Sequence, residues 1–249
     1  LGEYDYLVHF AAESHVDNSI TNGKPFIRTN VEGTFNLLEC ARQNKSLKKF
    51  IHISTDEVYG DMDDPKYNSI LGIKKKADEK DSLEGSSYYS ATKASSDLLV
   101  LAAHRTFGLP YIITRTCNNY GSHQHKEKFL PTIIRSIKEG KEIPVYGDGL
   151  NVREWINVKD NVQQLYSLML SDLTNEIFNI GTGETYTNLD IVGMIGIIMK
   201  KPVKFKFVKD RLGHDRRYAL NSNKLNEYSF VNEYKTLTDF LKEEVKKLK

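Results

Sequence analysis

Three short apolar runs constrain this chain most: Tyr6–Phe10, Phe50–Ser54 and Tyr111–Thr114. None holds a turn residue, so each reads as a strand covered on both faces. Helical patterns separate them. Between Phe26 and Gln43, Val31, Phe35, Leu38 and Cys40/Ala41 recur near one face. A second helix, Ser90 to Phe107, stops at Gly108-Leu109-Pro110. Strand and helix in alternation, with buried-type strands, describe parallel βαβ units and hence an α/β fold with a parallel sheet. Such crossovers are right-handed, and ligands bind at the carboxyl ends of the strands. The segments to search are therefore 11–17, 54–60 and 115–121.

The rhythm changes after Gly121. A helix over Leu130–Glu139, an extended piece at Ile143–Tyr146, a helix over Asp160–Leu170 and a strand at Ile177–Ile180 follow. A further helix starts after the cap candidates Thr187/Asn188, and Val203–Val208 alternates like a strand. The last helix, Thr236–Leu248, opens with Thr236 and Asp239 at capping-box spacing. Two stretches read as loops: Ala11–Thr21, and Gly60–Gly85 with its Lys74-Lys75-Lys76 run, a surface excursion.

Composition excludes several classes. The longest apolar stretch, Ile191–Met199, is about half a membrane span. The 35 basic and 33 acidic residues leave a net charge of +2, against a basic nucleic-acid-binding surface. Cys40 and Cys117 cannot form a disulfide framework and no signal-peptide pattern opens the sequence, so a cytoplasmic protein is expected. His9 and His52 sit within apolar runs, no histidine has zinc-site spacing, and no metal is expected. Cys117 follows a strand with no base beside it in sequence, a poor case for a nucleophile.

The candidate chemistry lies at the strand ends. Tyr89 and Lys93 stand one helical turn apart, a spacing that lets an ammonium lower a phenol's pKa and suits proton removal from an alcohol. A solvated helix face would show the same spacing. Thr55-Asp56-Glu57 follows an apolar strand, and burial can push two adjacent carboxylates apart in pKa for acid and base work; turn capping is the alternative. After the first strand, Ala11 and Ala12 allow close approach of a flat ligand beside Ser14, His15 and Asp17. The stretch Asp210–Arg217 is dense in basic groups, and with Arg153 it suits a diphosphate or a surface ion-pair cluster.

Taken together, these segments resemble the nucleotide-sugar 4,6-dehydratases of the extended short-chain dehydrogenase/reductase superfamily, most closely the branch acting on dTDP-glucose. The likeness runs through His9–Asp17, Thr29–Thr34, Ile53–Gly60, Tyr89–Lys93, Asn118–Gly121, Glu127–Pro131, Tyr146–Gly149, Arg153–Trp155, Phe178–Gly181 and Gly213–Tyr218. It implies a redox-neutral lyase reaction with tightly held NAD. Tyr89, assisted by Lys93 and Thr55, would take the C4 hydroxyl proton as hydride leaves C4. Glu57 would remove the C5 proton, Asp56 would protonate the departing C6 hydroxyl, and hydride would return to C6. By the same resemblance Phe10, Ala11, Ala12, Glu13, Ser14, Thr29, Tyr89, Lys93 and Asn119 line NAD. Ser14, Thr55, Asn118, Lys128, Phe129, Tyr146, Arg153, Asn188, Asp210, Arg211, Gly213 and His214 hold the nucleotide sugar.

The resemblance further implies an α/β, Rossmann-like doubly wound parallel sheet whose N-terminal strands are missing from this chain: a partial NAD-binding domain over 1–119 and a smaller, mainly sugar-nucleotide α/β domain over 120–249, with segments near 155–181 returning to the first. It also implies a homodimer through paired helices, among them Phe26–Gln43 and Ser90–Phe107. UDP-glucose as substrate, and a non-catalytic nucleotide-sugar-binding fragment, are the alternatives. Leu212 stands where these dehydratases commonly have proline. The chain lacks the G-x-x-G-x-x-G turn and the acidic residue after it, which implies roughly 70 upstream residues outside this sequence and little ordered NAD in the chain as given.

Overall fold

The structure is a computed structural model describing residues 3–67, 74–228 and 234–247. Its main sheet contains β1 (Tyr6–His9), β2 (Lys49–Thr55), β3 (Tyr111–Thr116) and β7 (Glu176–Ile180), all parallel and in that spatial order. Adjacent residues of the middle strands serve opposite faces. Phe50 and Ile113 pack with Leu38, Ala41 and Val100, while Ile51 and Ile112 pack with Leu165, Leu168 and Phe178. That two-sided burial is why these strands carry no polar alternation.

Between β1 and β2 lie α1 (Val16–Thr21), α2 (Lys24–Phe26) and α3 (Gly33–Ala41), the last two joined through a π-helical segment, Ile27–Glu32. The stretch expected as one loop from Ala11 to Thr21 thus contains a short helix, and the regular helix expected from Phe26 is locally widened. Between β2 and β3 runs α4 (Tyr88–Phe107), capped by a reciprocal Ser87–Ser90 box and ended by Gly108 at φ 71°. It starts two residues before the sequence pattern does, because the box precedes the first apolar position.

The second body holds a three-stranded sheet of β4 (Asn118–Tyr120), β6 (Val152–Asn157) and β8 (Thr185–Thr187). It also holds the parallel pair β5 (Ile143–Tyr146) and β9 (Phe205–Val208). Two helices accompany these, α5 (Phe129–Glu139) and α7 (Asn188–Met199), whereas α6 (Val158–Leu170) and α8 (Asn223–Asn226) place Leu165, Leu168 and Leu225 in the core of the main sheet. The last, α9 (Leu237–Lys246), is N-capped by Thr236 accepting from the Asp239 N–H; Leu248 lies outside the described residues. Leu130, Ile133, Trp155, Ile191, Leu237 and Leu241 form its core.

The Gly60–Gly85 stretch is not only a surface excursion. In its described parts Met62 and Ala77 are buried, and Ala77 bridges Leu220. The segment therefore contributes to the core of the main sheet. Among the described residues no helix is long and apolar enough to cross a membrane.

Candidate active site

The register of the main sheet aligns Thr55 of β2 with Thr116 of β3, and Thr116 with Ile180 of β7, so these residues mark one carboxyl edge. There β2 turns into a 3₁₀ segment, Asp56–Tyr59, which presents its two acidic residues side by side. Thr55 shapes the turn: its hydroxyl accepts from the Glu57 N–H and lies 3.1 Å from Asp56 Oδ1. Gly60 closes it at φ 74°, where a Cβ would meet the Glu84 carbonyl at 2.4 Å. Only glycine fits there.

Asp56 is buried, and its Oδ2 has no protein partner. Burial, and then the charges of Glu57 and Glu154, raise its pKa well above the usual carboxylate range. Glu57 is half-buried and also raised by burial, but Arg153, Arg211 and Lys128 oppose that rise. These cations come from β6, the Asp210–His214 loop and the N-cap of α5. Three separate segments thus turn positive charge toward one carboxylate.

On α4, Tyr89, Lys93 and Asp97 share one face at four-residue spacing. The Thr55 hydroxyl works to lower the pKa of the Tyr89 phenol. Lys93 is buried and donates from Nζ to the Ile53 carbonyl at 2.7 Å. Burial brings its ammonium down to about 8, with Asp97 opposing. The Tyr89 phenol is pushed up, first by burial and then by the nearby Glu57. The lowering expected from Lys93 is therefore overturned here, because desolvation and the acidic pair outweigh it.

Around this centre, Lys128 Nζ donates to the Ser14 carbonyl at 3.0 Å. Tyr146 reaches Asp17 Oδ2 at 3.4 Å, and Arg211 stands 3.5 Å from Asp17 Oδ1. His214 Nδ1 lies 2.6 Å from Asp210 Oδ1. The Arg153 guanidinium stacks 4.2 Å from the Tyr218 ring centroid and donates to the Asp215 carbonyl. Tyr218 in turn donates to Asp215 Oδ2 at 2.7 Å and stands 3.5 Å from Glu57 Oε2. Phe129 opens α5 and Gly213 takes φ 61° in its loop. Asn118 starts β4, and Asn188 opens α7 with its N–H on the Asn151 carbonyl. Leu212 is 73% exposed.

Sequence reasoning left several contributors unassigned. Asn30 accepts from the Glu13 N–H at 2.8 Å and donates to the Glu13 carbonyl and to Thr92 Oγ1. Its place inside a helical pattern gave no signal of that role. The links from Asp17 to Tyr146 and Arg211 have no counterpart in the local sequence pattern. Asp215, Tyr218 and Glu154 come from distant segments, which only the tertiary fold unites.

The metal and thiol readings gain nothing. Among the described residues no group of three or more His, Cys, Asp or Glu could hold a metal ion. Burial, with Glu154 and Asp56 nearby, pushes the Cys117 thiol well up.

The family model described as the NAD dependent epimerase/dehydratase family matches residues 2–181. The chain belongs to that family. Low-salt glycan biosynthesis protein Agl12 of Haloferax volcanii is 42% identical over 247 residues, covering 96% of this chain and 76% of that protein. A dTDP-glucose 4,6-dehydratase of Haemophilus influenzae is 42% identical over 244 residues, covering 89% and 69%. Among solved structures, DesIV, a dTDP-glucose 4,6-dehydratase from Streptomyces venezuelae with NAD and TYD bound, superposes at TM-score 0.89 with 39% identity. That match covers 97% of this chain and 72% of DesIV.

The strand ends of this epimerase/dehydratase member carry groups that fit the family's NAD. The Asn30 clamp holds the Ala11–Ser14 loop against the helix bearing Tyr89, while Phe10, Ala11, Glu13 and Ser14 remain exposed along the strand ends. Ser54 Oγ and Thr116 Oγ1, at the same strand ends, are buried without protein partners. Thr29 is half-buried in the π-helical segment. The Asn119 amide is committed to the Cys117 carbonyl and Asn161.

Proposed function

We propose that this chain carries the catalytic centre of a dTDP-glucose 4,6-dehydratase, converting the sugar to its 4-keto-6-deoxy form. The observation that supports this reading best is the division of the adjacent carboxyls. Asp56 sits in a pocket that favours its neutral, proton-loaded form, and Glu57 faces three cations that favour its charged form. Elimination of water needs such a pair, an acid for the leaving hydroxyl and a base for the proton beside the ketone.

Tyr89 takes the C4 hydroxyl proton, assisted by Thr55 and Lys93. NAD, when bound, would supply the hydride acceptor for C4 and the hydride donor for C6. Glu57 then removes the C5 proton, which the 4-keto group has acidified, as Asp56 donates its proton to the C6 oxygen. Phe10 to Ser14, Thr29 and Asn119, with Tyr89 and Lys93, would line the cofactor. Lys128, Arg153 and Arg211 would hold the diphosphate, joined by Ser14, Asn118, Phe129, Tyr146, Asn188, Asp210, Gly213 and His214 around the nucleoside and sugar.

The same reading divides the chain near residue 119 into cofactor and sugar-nucleotide parts, makes the protein cytoplasmic and makes it a homodimer. UDP-glucose is the competing substrate, since the motifs do not fix the base, and relative turnover of the two nucleotides decides it. The test of the reaction is product analysis with dTDP-glucose. Formation of the 4-keto-6-deoxy sugar is expected, and C4 epimer without keto product would contradict it.

A further inference from the structure

Arg115 on β3 is 2% exposed, and nothing in the chemistry above uses it. A guanidinium in a core is costly unless it is paired and its donors are satisfied. Here each contact leads to a different part of the site. Nε donates to Asp97 Oδ2 at 2.9 Å. Nη1 donates to the Tyr59 hydroxyl at 2.8 Å and to the Glu79 carbonyl at 3.1 Å. The guanidinium carbon lies 4.8 Å from the Tyr59 ring centroid.

Asp97 stands one helical turn beyond Lys93 and two beyond Tyr89 on α4. It is also fixed by His52, 3.4 Å away on β2. Tyr59 is the last residue of the turn that begins with Asp56 and Glu57. Its hydroxyl donates to Asn179 Oδ1 at 2.7 Å, and Asn179 Nδ2 ties the Ala77 and Asn221 carbonyls. One planar cation thus grips both the helix carrying the oxidation pair and the turn carrying the elimination pair.

We propose that Arg115, acting through Tyr59, is a positioning residue that fixes the spacing between Tyr89/Lys93 and Asp56/Glu57. The proposal rests on the dehydration reading above, because only a reaction with both steps at one sugar needs both pairs in one register. The sugar is oxidised at C4 and then deprotonated at C5 without leaving, so the acidic turn cannot drift from the helix between steps. Misplacement of catalytic groups by about 1 Å costs up to ~10²-fold in rate.

The experiment uses the NAD-loaded enzyme, dTDP-glucose and two variants. Tyr59→Phe keeps the ring beneath the guanidinium and deletes only the hydroxyl link. Arg115→Lys keeps the charge and loses the planar fork. Tyr59→Phe is expected to lower kcat about 10-fold and to leave KM and thermal midpoint close to wild type. The absorbance of reduced nicotinamide should persist during turnover, since oxidation survives while elimination lags. The double variant should lose no more than the worse single one, because both act on one link. A Tyr59→Phe enzyme with wild-type kcat, or losses that multiply in the double variant and track a lowered thermal midpoint, would overturn the positioning role alone. A wild-type enzyme that consumed dTDP-glucose without forming the 4-keto-6-deoxy product would overturn the dehydration reading, and the proposal with it.

Discussion

Asp56 and Glu57 are nearly identical acids on consecutive residues, and their surroundings assign them different work. Asp56 feels its acidic neighbours more than any cation, so burial and those charges push its carboxyl well above the usual carboxylate range, toward the proton-bearing form. Glu57 meets Arg153, Arg211 and Lys128, which hold back the same burial effect. Asn at position 56 keeps the shape but has no proton to give. Asp56→Asn should therefore slow product formation about 10²-fold or more while C4 oxidation continues. Stopped-flow absorbance of the reduced cofactor checks this: loss of the transient together with the product would contradict the acid role. The side chains of this centre were legible in sequence because each ends a recognisable element. Their protonation was not, since it depends on Glu154 and three cations drawn from remote segments.

At the scale of elements, the strands were readable because two-sided burial leaves uninterrupted apolar runs, as at Tyr111–Thr114. The short strands β4, β6 and β8 were not, because Arg153, Glu154 and Asn157 interrupt the apolar pattern with buried polar groups. The π-helical segment was also hidden, since its widening serves Asn30 and leaves the apolar spacing intact. His52 shows how a polar residue lives inside such a strand: it is fully buried, lies 3.1 Å from Ser96 Oγ and joins β2 to α4. Burial and the Lys93 charge lower its pKa to about 4, so the fold holds it neutral. The unfolded chain takes up the proton below about pH 6.5, so the stability this residue supports is present above that value and is lost on acidification. His52→Gln removes the linkage. Between pH 7 and 5, urea unfolding should show wild type losing on the order of 1–2 kcal/mol more than the variant. Equal losses would contradict a neutral buried imidazole.

At the scale of the whole molecule, Lys128 with Ser14, Arg211 with Asp17 and Tyr146 with Asp17 join the segments around the acidic turn, while Ile156, Leu165 and Leu168 share an apolar core with Ile51 and Ile112 of the main sheet. The apolar groups that do stay exposed include Phe35 on α3 at 50% and Leu98 on α4 at 58%. We infer that these helices pair with a second copy. Light scattering should give a dimer mass that Leu98→Glu shifts toward the monomer, whereas a monomeric wild type would contradict the pairing. The central claim, that oxidation, elimination and hydride return occur at one site, is tested most directly with dTDP-glucose deuterated at C4. The account predicts a 4-keto-6-deoxy product carrying that deuterium at C6. A product with deuterium still at C4, or a C4 epimer without a keto group, would contradict it.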